Sequence, residues 1–285
     1  LTVDSLRGKL PIGGTILGTS RFQPFMVDDG VERFAAALGT LGIDAVIAIG
    51  GEGTLGCAKD LAALGYPIVG VPKTIDNDLA GTEMTFGFQT AVQICTDAID
   101  RLHTTAESHD RVMVVEVMGR HAGHIAAWSG MAGGATMTLI PEVPFDIDAV
   151  CEAIARRHEA GRYASIVVVA EGARPLPGTL DIPEPEVDAY GHQRLGGIGT
   201  TIGGEIERRT GFETRVTILG HIQRGGSPNA FDRVLASRYG VAAIDAVHDG
   251  AYGEMVCLRA GKIGQHVGGA EIDRRVLLNT VEQCV

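Results

Sequence analysis

Residues 44–78 read DAVIAIGGEGTLGCAKDLAALGYPIVGVPKTIDND, and this stretch decides the fold class. Asp44–Ile49 and Ile68–Val71 are short, β-branched runs of the kind that form strands buried on both faces. Between them Thr54–Leu64 reads as a helix, with Gly65 placed to end it. Each run opens into a loop suited to chemistry, Gly50-Gly51-Glu52-Gly53-Thr54 after the first and Pro72-Lys73-Thr74-Ile75-Asp76-Asn77-Asp78 after the second. A strand–helix–strand unit puts both loops at the carboxyl ends of neighbouring parallel strands, the edge where open parallel sheets bind ligands.

The same alternation continues outward. Upstream, Val31–Leu41 is a helix by the spacing of Phe34, Leu38 and Leu41, and Lys9–Thr19, KLPIGGTILGT, reads as a Gly-rich strand and turn. In Ser20-Arg21-Phe22, Arg21 is either a solvated loop cation or a phosphate contact. Downstream, Ala91, Ile94, Cys95, Ala98, Ile99 and Leu102 mark an amphipathic helix. Arg111–Val117 is a buried strand running into Met118-Gly119-Arg120-His121-Ala122-Gly123-His124 and a small-residue helix. Met137–Ile140 and Ser165–Ala170 are strands on either side of a helix over 147–160, and 172–199 reads as an exposed insertion. A helix over 200–210 precedes the strand Arg215–Leu219, which ends in His221-Ile222-Gln223-Arg224-Gly225-Gly226. Ser227-Pro228 is placed to start a helix over 229–248, and 254–285 reads as short strands and a terminal helix. Strands alternating with helices throughout mean an α/β protein with parallel sheets.

The net charge of −11 argues against nucleic acid and anionic membranes as partners, since both need a basic field. An anionic substrate then requires a local cluster of Arg and Lys. The five cysteines are scattered with no Cys-x-x-Cys, and no 18-residue apolar stretch occurs, so a reduced, cytoplasmic setting is expected.

In GGEGT, adjacent glycines let backbone amides approach an anion at a helix start. A carboxylate among them suits a bridging Mg²⁺, which takes one or two carboxylates plus phosphate oxygens, and Glu52 is the candidate; a solvated Glu in a turn is the alternative. No GxxxxGK[ST] loop is present. Asp76 and Asp78 either cap their own turn or supply a general base, worth ~10²–10⁴ in rate, with a supporting carboxylate. Arg111, Arg120, Arg215, His221 and Arg224 at strand ends are either surface salt-bridge cations taken singly or together a candidate phosphate site, because the planar guanidinium binds phosphate bidentately; Arg224, between Gln223 and two glycines, is the one favoured for function. His121 and His124 lack a third ligand at sensible spacing and are assigned to packing or polar roles. Glu171, ending an apolar strand, can accept hydrogen bonds from sugar hydroxyls or cap a neighbouring helix.

Taken together and in order, Gly50–Thr54, Lys73–Asp78, Met118-Gly119-Arg120, Glu171 and His221–Gly226 resemble the 6-phosphofructokinase family. Ser20-Arg21-Phe22 and Ser108-His109-Asp110-Arg111 match as well, and the likeness runs from about residue 10 to about 260. The resemblance implies two Rossmann-like three-layer domains with mainly parallel sheets and an active site in the cleft between them. The larger, nucleotide-binding one would take 1–87 plus 223–273, and the smaller, fructose 6-phosphate-binding one 88–222 plus 274–285. The family's N-terminal strand and its nucleotide loop are expected upstream of residue 1.

The resemblance also implies residue roles. Asp76 removes the proton from the 1-hydroxyl of fructose 6-phosphate, supported by Asp78 and Thr74, and Arg120 stabilises charge on the transferred phosphoryl group. Glu52 stands where the family carries an acidic Mg²⁺ residue, and Arg21, Phe22, Gly51, Gly53, Thr54 and Lys73 lie on the ATP side. Met118, Gly119, Glu171, His221 and Arg224 hold the sugar phosphate. Arg111 and Arg215 match arginines that reach into a neighbouring subunit's site, so a homodimer or homotetramer is implied. His103 and Thr136 stand where the bacterial allosteric site carries Arg and Glu, so feedback by phosphoenolpyruvate or ADP is not implied. Gly53 leaves room for the α-phosphate of ATP, whereas Lys73 matches pyrophosphate users; the steric criterion decides for ATP. A reversible pyrophosphate-dependent enzyme and a non-catalytic sugar-phosphate-binding subunit are the alternatives.

Overall fold

The computed structural model describes residues 2–20, 22–182 and 195–267. Its helices and strands follow in the order α1 (Val3–Leu6), α2 (Gly30–Leu41), β1 (Val46–Gly50), α3 (Glu52–Ala63), β2 (Ile68–Thr74), β3 (Phe86–Gly87) and α4 (Phe88–His109). Then come β4 (Val112–Val117), α5 (His124–Ala132), β5 (Met137–Leu139), α6 (Ile147–Glu159) and β6 (Ser165–Ala170). The order ends with α7 (Ile198–Thr210), β7 (Thr214–Ile218), α8 (Ala230–His248), β8 (Glu254–Arg259) and β9 (Lys262–Val267). The described residues divide into two compact units, 2–89 with 226–267 and 90–225.

In the first unit the strand order is β1-β2-β8-β9, with β3 also pairing with β2. β1, β2, β3 and β8 are parallel and β9 is antiparallel. One face of β2 and β8 presents Val69, Val71, Val256 and Leu258 to Leu235, Tyr239, Ala243 and Ala246 of α8. On the other face Ile68 packs with Ala58 and Leu61 of α3 and with Phe34 of α2. Alternating strand residues thus feed two helical layers.

The second unit holds a fully parallel sheet of order β5-β6-β4-β7. Val112, Val114, Val167 and Val169 face Val150 and Ile154 of α6 and Ile202 and Ile206 of α7. The alternate residues Met113, Val115, Ile166 and Val168 are buried too, and α5 packs against β5 and β6. Strands covered on both faces read as continuous apolar runs, which is why RVMVVEV and SIVVVA are so uniform. Among the described residues no helix is long and apolar enough to cross a membrane.

Several sequence expectations need correction. Lys9–Thr19 forms turns and no strand, because Gly8, Gly14 and Gly18 take left-handed φ values of 69°, 83° and 75°, which break any ladder. β1 is not buried on both faces; it is an outer strand of the described sheet, and Ile49 is 48% exposed. α3 starts two residues early, with Gly51 as its N-cap, so Glu52, Gly53 and Thr54 are its first turn rather than a loop. Ser227-Pro228 does not cap α8; Asn229 does, its side chain accepting from Asp232 N at 3.0 Å. The segment after β6 is not simply an exposed insertion. Gly172 and Ala173 are buried, Leu176 N donates to Phe145 O at 2.6 Å, and Leu180 and Ile182 pack on the core. The rest of that segment from 183 to 194 and the expected terminal helix lie outside the described residues.

Candidate active site

In the first unit two neighbouring strands deliver the candidate donor side. Gly51, at the end of β1, lies against the end of β2, and a Cβ built on it would sit 3.4 Å from Thr74 Cβ. The exposed first turn of α3, Glu52-Gly53-Thr54, follows at once. The amides of a first turn have no intrahelical acceptor and carry the positive end of the helix dipole, which favours an anion. Lys73 is exposed at the end of β2. Phe22 is exposed, with its N–H donating to Ser20 Oγ at 3.0 Å, and Arg21 lies outside the described residues.

Asp76 and Asp78 are both buried, at 5% and 7% exposure. Thr74 Oγ1 donates to Asp76 Oδ2 at 3.4 Å and accepts from Asp76 N at 3.1 Å, which ties the carboxylate to the strand end. Asn77 between them is left-handed at φ 51°. Its Oδ1 accepts from Thr85 N at 2.8 Å, and its Nδ2 donates to Glu83 O at 3.2 Å. The buried Thr85 donates from Oγ1 to Thr74 O at 2.8 Å. Asn77 and Thr85 were not picked out by sequence reasoning, yet they clamp the loop that carries both aspartates. An Asn between two Asp, in a position asking for positive φ, was the available signal.

In the second unit the parallel register places the ends of β4, β6 and β7 on one edge. Val117 pairs with Ala170 and Glu116 with Ile218. That edge carries Met118 and Gly119, both buried, the exposed Arg120, and Glu171. It also carries the 3-10 turn Gly220–Arg224, in which His221 and Arg224 are exposed. Arg120 is left-handed at φ 53°, and its N–H donates to Glu171 Oε1 at 2.9 Å. A Cβ at Gly172 would stand 2.0 Å from Arg120 O, so only glycine lets the end of β6 approach this loop. Glu171 thus holds the backbone of the Arg120 turn and is not seen to cap the helix that follows, α5, whose N-cap is Gly123. His103 and Thr136 are engaged internally, His103 Nε2 with Gly133 O at 2.5 Å and Thr136 Oγ1 with Ile166 N at 3.2 Å.

The basic set read from the sequence as one cluster is split. Arg111 precedes β4 and Arg215 is the second residue of β7, so both sit at the amino edge of this sheet. At ~3.3 Å per residue, β4 separates them from the Met118–Arg120 loop by ~20 Å. There they share Glu213, with Arg111 Nη2 2.7 Å from Glu213 Oε1 and Arg215 Nη2 bonded to the same oxygen. The Arg111 hydrogen bond holds the Glu213 carboxyl below the usual carboxylate range. A further buried carboxylate, Glu116, accepts from Gly197 N at 2.8 Å and Gly199 N at 2.8 Å and so caps α7. Nothing in VMVVEV announces that role.

Glu52 is the one exposed carboxylate on the first turn of α3, and among the described residues no group of three His, Cys, Asp or Glu could hold a metal. This donor set fits Mg²⁺ arriving with phosphate oxygens rather than caged by protein.

A family profile described as phosphofructokinase matches residues 1–247. The pyrophosphate–fructose 6-phosphate 1-phosphotransferase of Streptomyces coelicolor is 58% identical over 264 residues, 92% of this chain and 77% of its own length. The ATP-dependent 6-phosphofructokinase of Corynebacterium efficiens is 59% identical over 251 residues, 88% of this chain and 72% of its own. The crystal structure of Pichia pastoris phosphofructokinase in the T-state matches at TM-score 0.80 and 32% identity, covering 99% of this chain and 30% of that one.

Proposed function

We propose, from the premise that this chain belongs to the phosphofructokinase family, that it transfers the terminal phosphoryl group of ATP to the 1-hydroxyl of fructose 6-phosphate, a step of glycolysis. The observation that carries this reading is Asp76. It is a buried carboxylate tied to Thr74 at the end of β2, beside the anion-favouring first turn of α3. A binding protein needs no such base.

In this reading Asp76 accepts the 1-hydroxyl proton as the phosphoryl group is attacked, and Thr74 and Asp78 orient it. Such transfers are catalysed almost wholly by positioning and electrostatics. Gly51, Gly53, Thr54, Lys73, Phe22 and Arg21 receive the donor phosphates in the first unit. Met118, Gly119, Glu171, His221 and Arg224 hold the sugar phosphate in the second, and Arg120 stabilises the charge of the transferring group. Glu52 would hold Mg²⁺, which when bound neutralises phosphate charge. Arg111 and Arg215 lie a strand's length from their own unit's acceptor loops. That supports service to a second copy of the chain, in a homodimer or homotetramer; the cytoplasm is the setting proposed for it.

The relatives' names divide between ATP and pyrophosphate, and Gly53 favours ATP. A Cβ there would meet only the end of the Gln23 side chain, at 3.3 Å, and a helical glycine costs about 0.5–1 kcal/mol relative to alanine. The fold does not ask for this glycine; an open approach to the first-turn amides does. A coupled assay for fructose 1,6-bisphosphate with each donor tests the reading. Turnover with ATP is expected, and turnover with pyrophosphate alone would overturn it.

A further inference from the structure

Within the turn Gly220–Arg224 one side chain is turned away from solvent. Gln223 is 1% exposed, while His221, Ile222 and Arg224 around it are exposed. Its Oε1 accepts from Met118 N at 3.0 Å and from Cys95 Sγ at 3.1 Å, and its Nε2 donates to Gly220 O at 3.0 Å. Burial pushes the Cys95 thiol up to about 12, so it keeps its proton and can donate. The amide orientation is determined by these partners: a backbone N–H and a thiol require an acceptor, and a carbonyl requires a donor.

A single buried amide therefore grips the first residue of the Met118–Arg120 loop and the first residue of the turn carrying His221 and Arg224. Glu171 grips the other end of the same loop at Arg120 N. We propose that Gln223 is a positioning residue for the acceptor sugar phosphate. It never touches the substrate, and it sets the spacing between the Met118–Arg120 loop and the His221/Arg224 turn. This rests on the fructose 6-phosphate reading above. An alternative in which Gln223 only fills the core would leave substrate affinity untouched in any variant that folds.

The test uses the full chain and measures fructose 6-phosphate binding by calorimetry, then kcat and the KM for each substrate. Gln223→Met keeps the bulk and removes every hydrogen bond of the amide. It is expected to raise the Kd and KM for fructose 6-phosphate by about 100-fold, the scale of an ångström-sized misplacement, with the KM for ATP unchanged. Gln223→Glu keeps an acceptor for Met118 N–H and is expected to recover part of that loss. Unchanged fructose 6-phosphate affinity in folded Gln223→Met, or an equal loss for both substrates, overturns the proposal. Should Gln223→Met fail to fold, the Cys95 variants decide. Cys95→Ala is expected to give a smaller rise of the same kind, and Cys95→Ser, which keeps a donor to Gln223, a smaller loss than Cys95→Ala. Indistinguishable Cys95 variants overturn the proposal. A wild-type chain that binds no fructose 6-phosphate would instead overturn the reading of function.

Discussion

The loop after β2 and the loop after β4 both carry candidate site residues at the carboxyl edge of a parallel sheet, but they are held by different kinds of contact. Asp76, Asn77, Thr74 and Thr85 stitch the first loop to itself over separations of 2, 8 and 11 residues. The second loop is held by side chains far along the chain. Glu171 reaches Arg120 across 51 residues, and Gln223 reaches Met118 and Cys95 across 105 and 128. The first arrangement is set by local turn chemistry, while the second exists only once three strands have paired. Lesions in the two loops should therefore look different in kinetics.

The largest effect is expected at Asp76, the proposed base. Asp76→Ser should lower kcat by about 10²–10⁴-fold, read in the coupled assay, with fructose 6-phosphate binding by calorimetry retained. Next comes Gly172→Ala, whose Cβ would sit 2.0 Å from Arg120 O. Displacing that loop should raise the KM for fructose 6-phosphate by about 100-fold and cost about 1–3 kcal/mol in a urea melt. Smaller is Gly53→Ala, which separates stability from function. The helix should gain about 0.5–1 kcal/mol, while the KM for ATP rises by about 10-fold.

The smallest effect concerns a part of the second unit remote from either loop. Hydrogen bonds from Arg208 and then Arg209 hold the Glu205 carboxyl down at about 2, against an ordinary 4.5. The folded value lies below the unfolded one, so this stabilisation is complete above pH 4.5 and is lost as the pH falls from there towards 2. Glu205→Gln should flatten the fall of melting temperature with acid by a few degrees at most, leaving both KM values as they were.

The contrast also explains what was legible in the sequence. The strand–helix–strand unit and the two aspartates could be read as candidates because each belongs to a short motif with its own local chemistry, whereas Glu171 could be read as a strand-end carboxylate but not for its bond to Arg120, 51 residues away. The clamp through Asn77 and Thr85 was partly hidden, since its partners straddle the intervening turn. Gln223 and Glu116 were hidden altogether, because their partners lie 105 and 81 residues away, and only strand register brings them together. Register likewise separated Arg111 and Arg215 from Arg120, His221 and Arg224; strand-end position in the sequence did not say which end.

The proposed function is a division of labour: the base and the donor side lie in the first unit, while the second binds the acceptor and lends Arg120 to the transferring group. It is tested most directly by steady-state kinetics of Thr85→Val beside Gly172→Ala, with both substrates varied. Thr85→Val removes the hydroxyl that holds Thr74 O, and its kcat should fall by about 10-fold with the KM for fructose 6-phosphate unchanged. Gly172→Ala should raise that KM and leave the KM for ATP alone. If both substitutions move the same parameter by the same factor, the division is wrong.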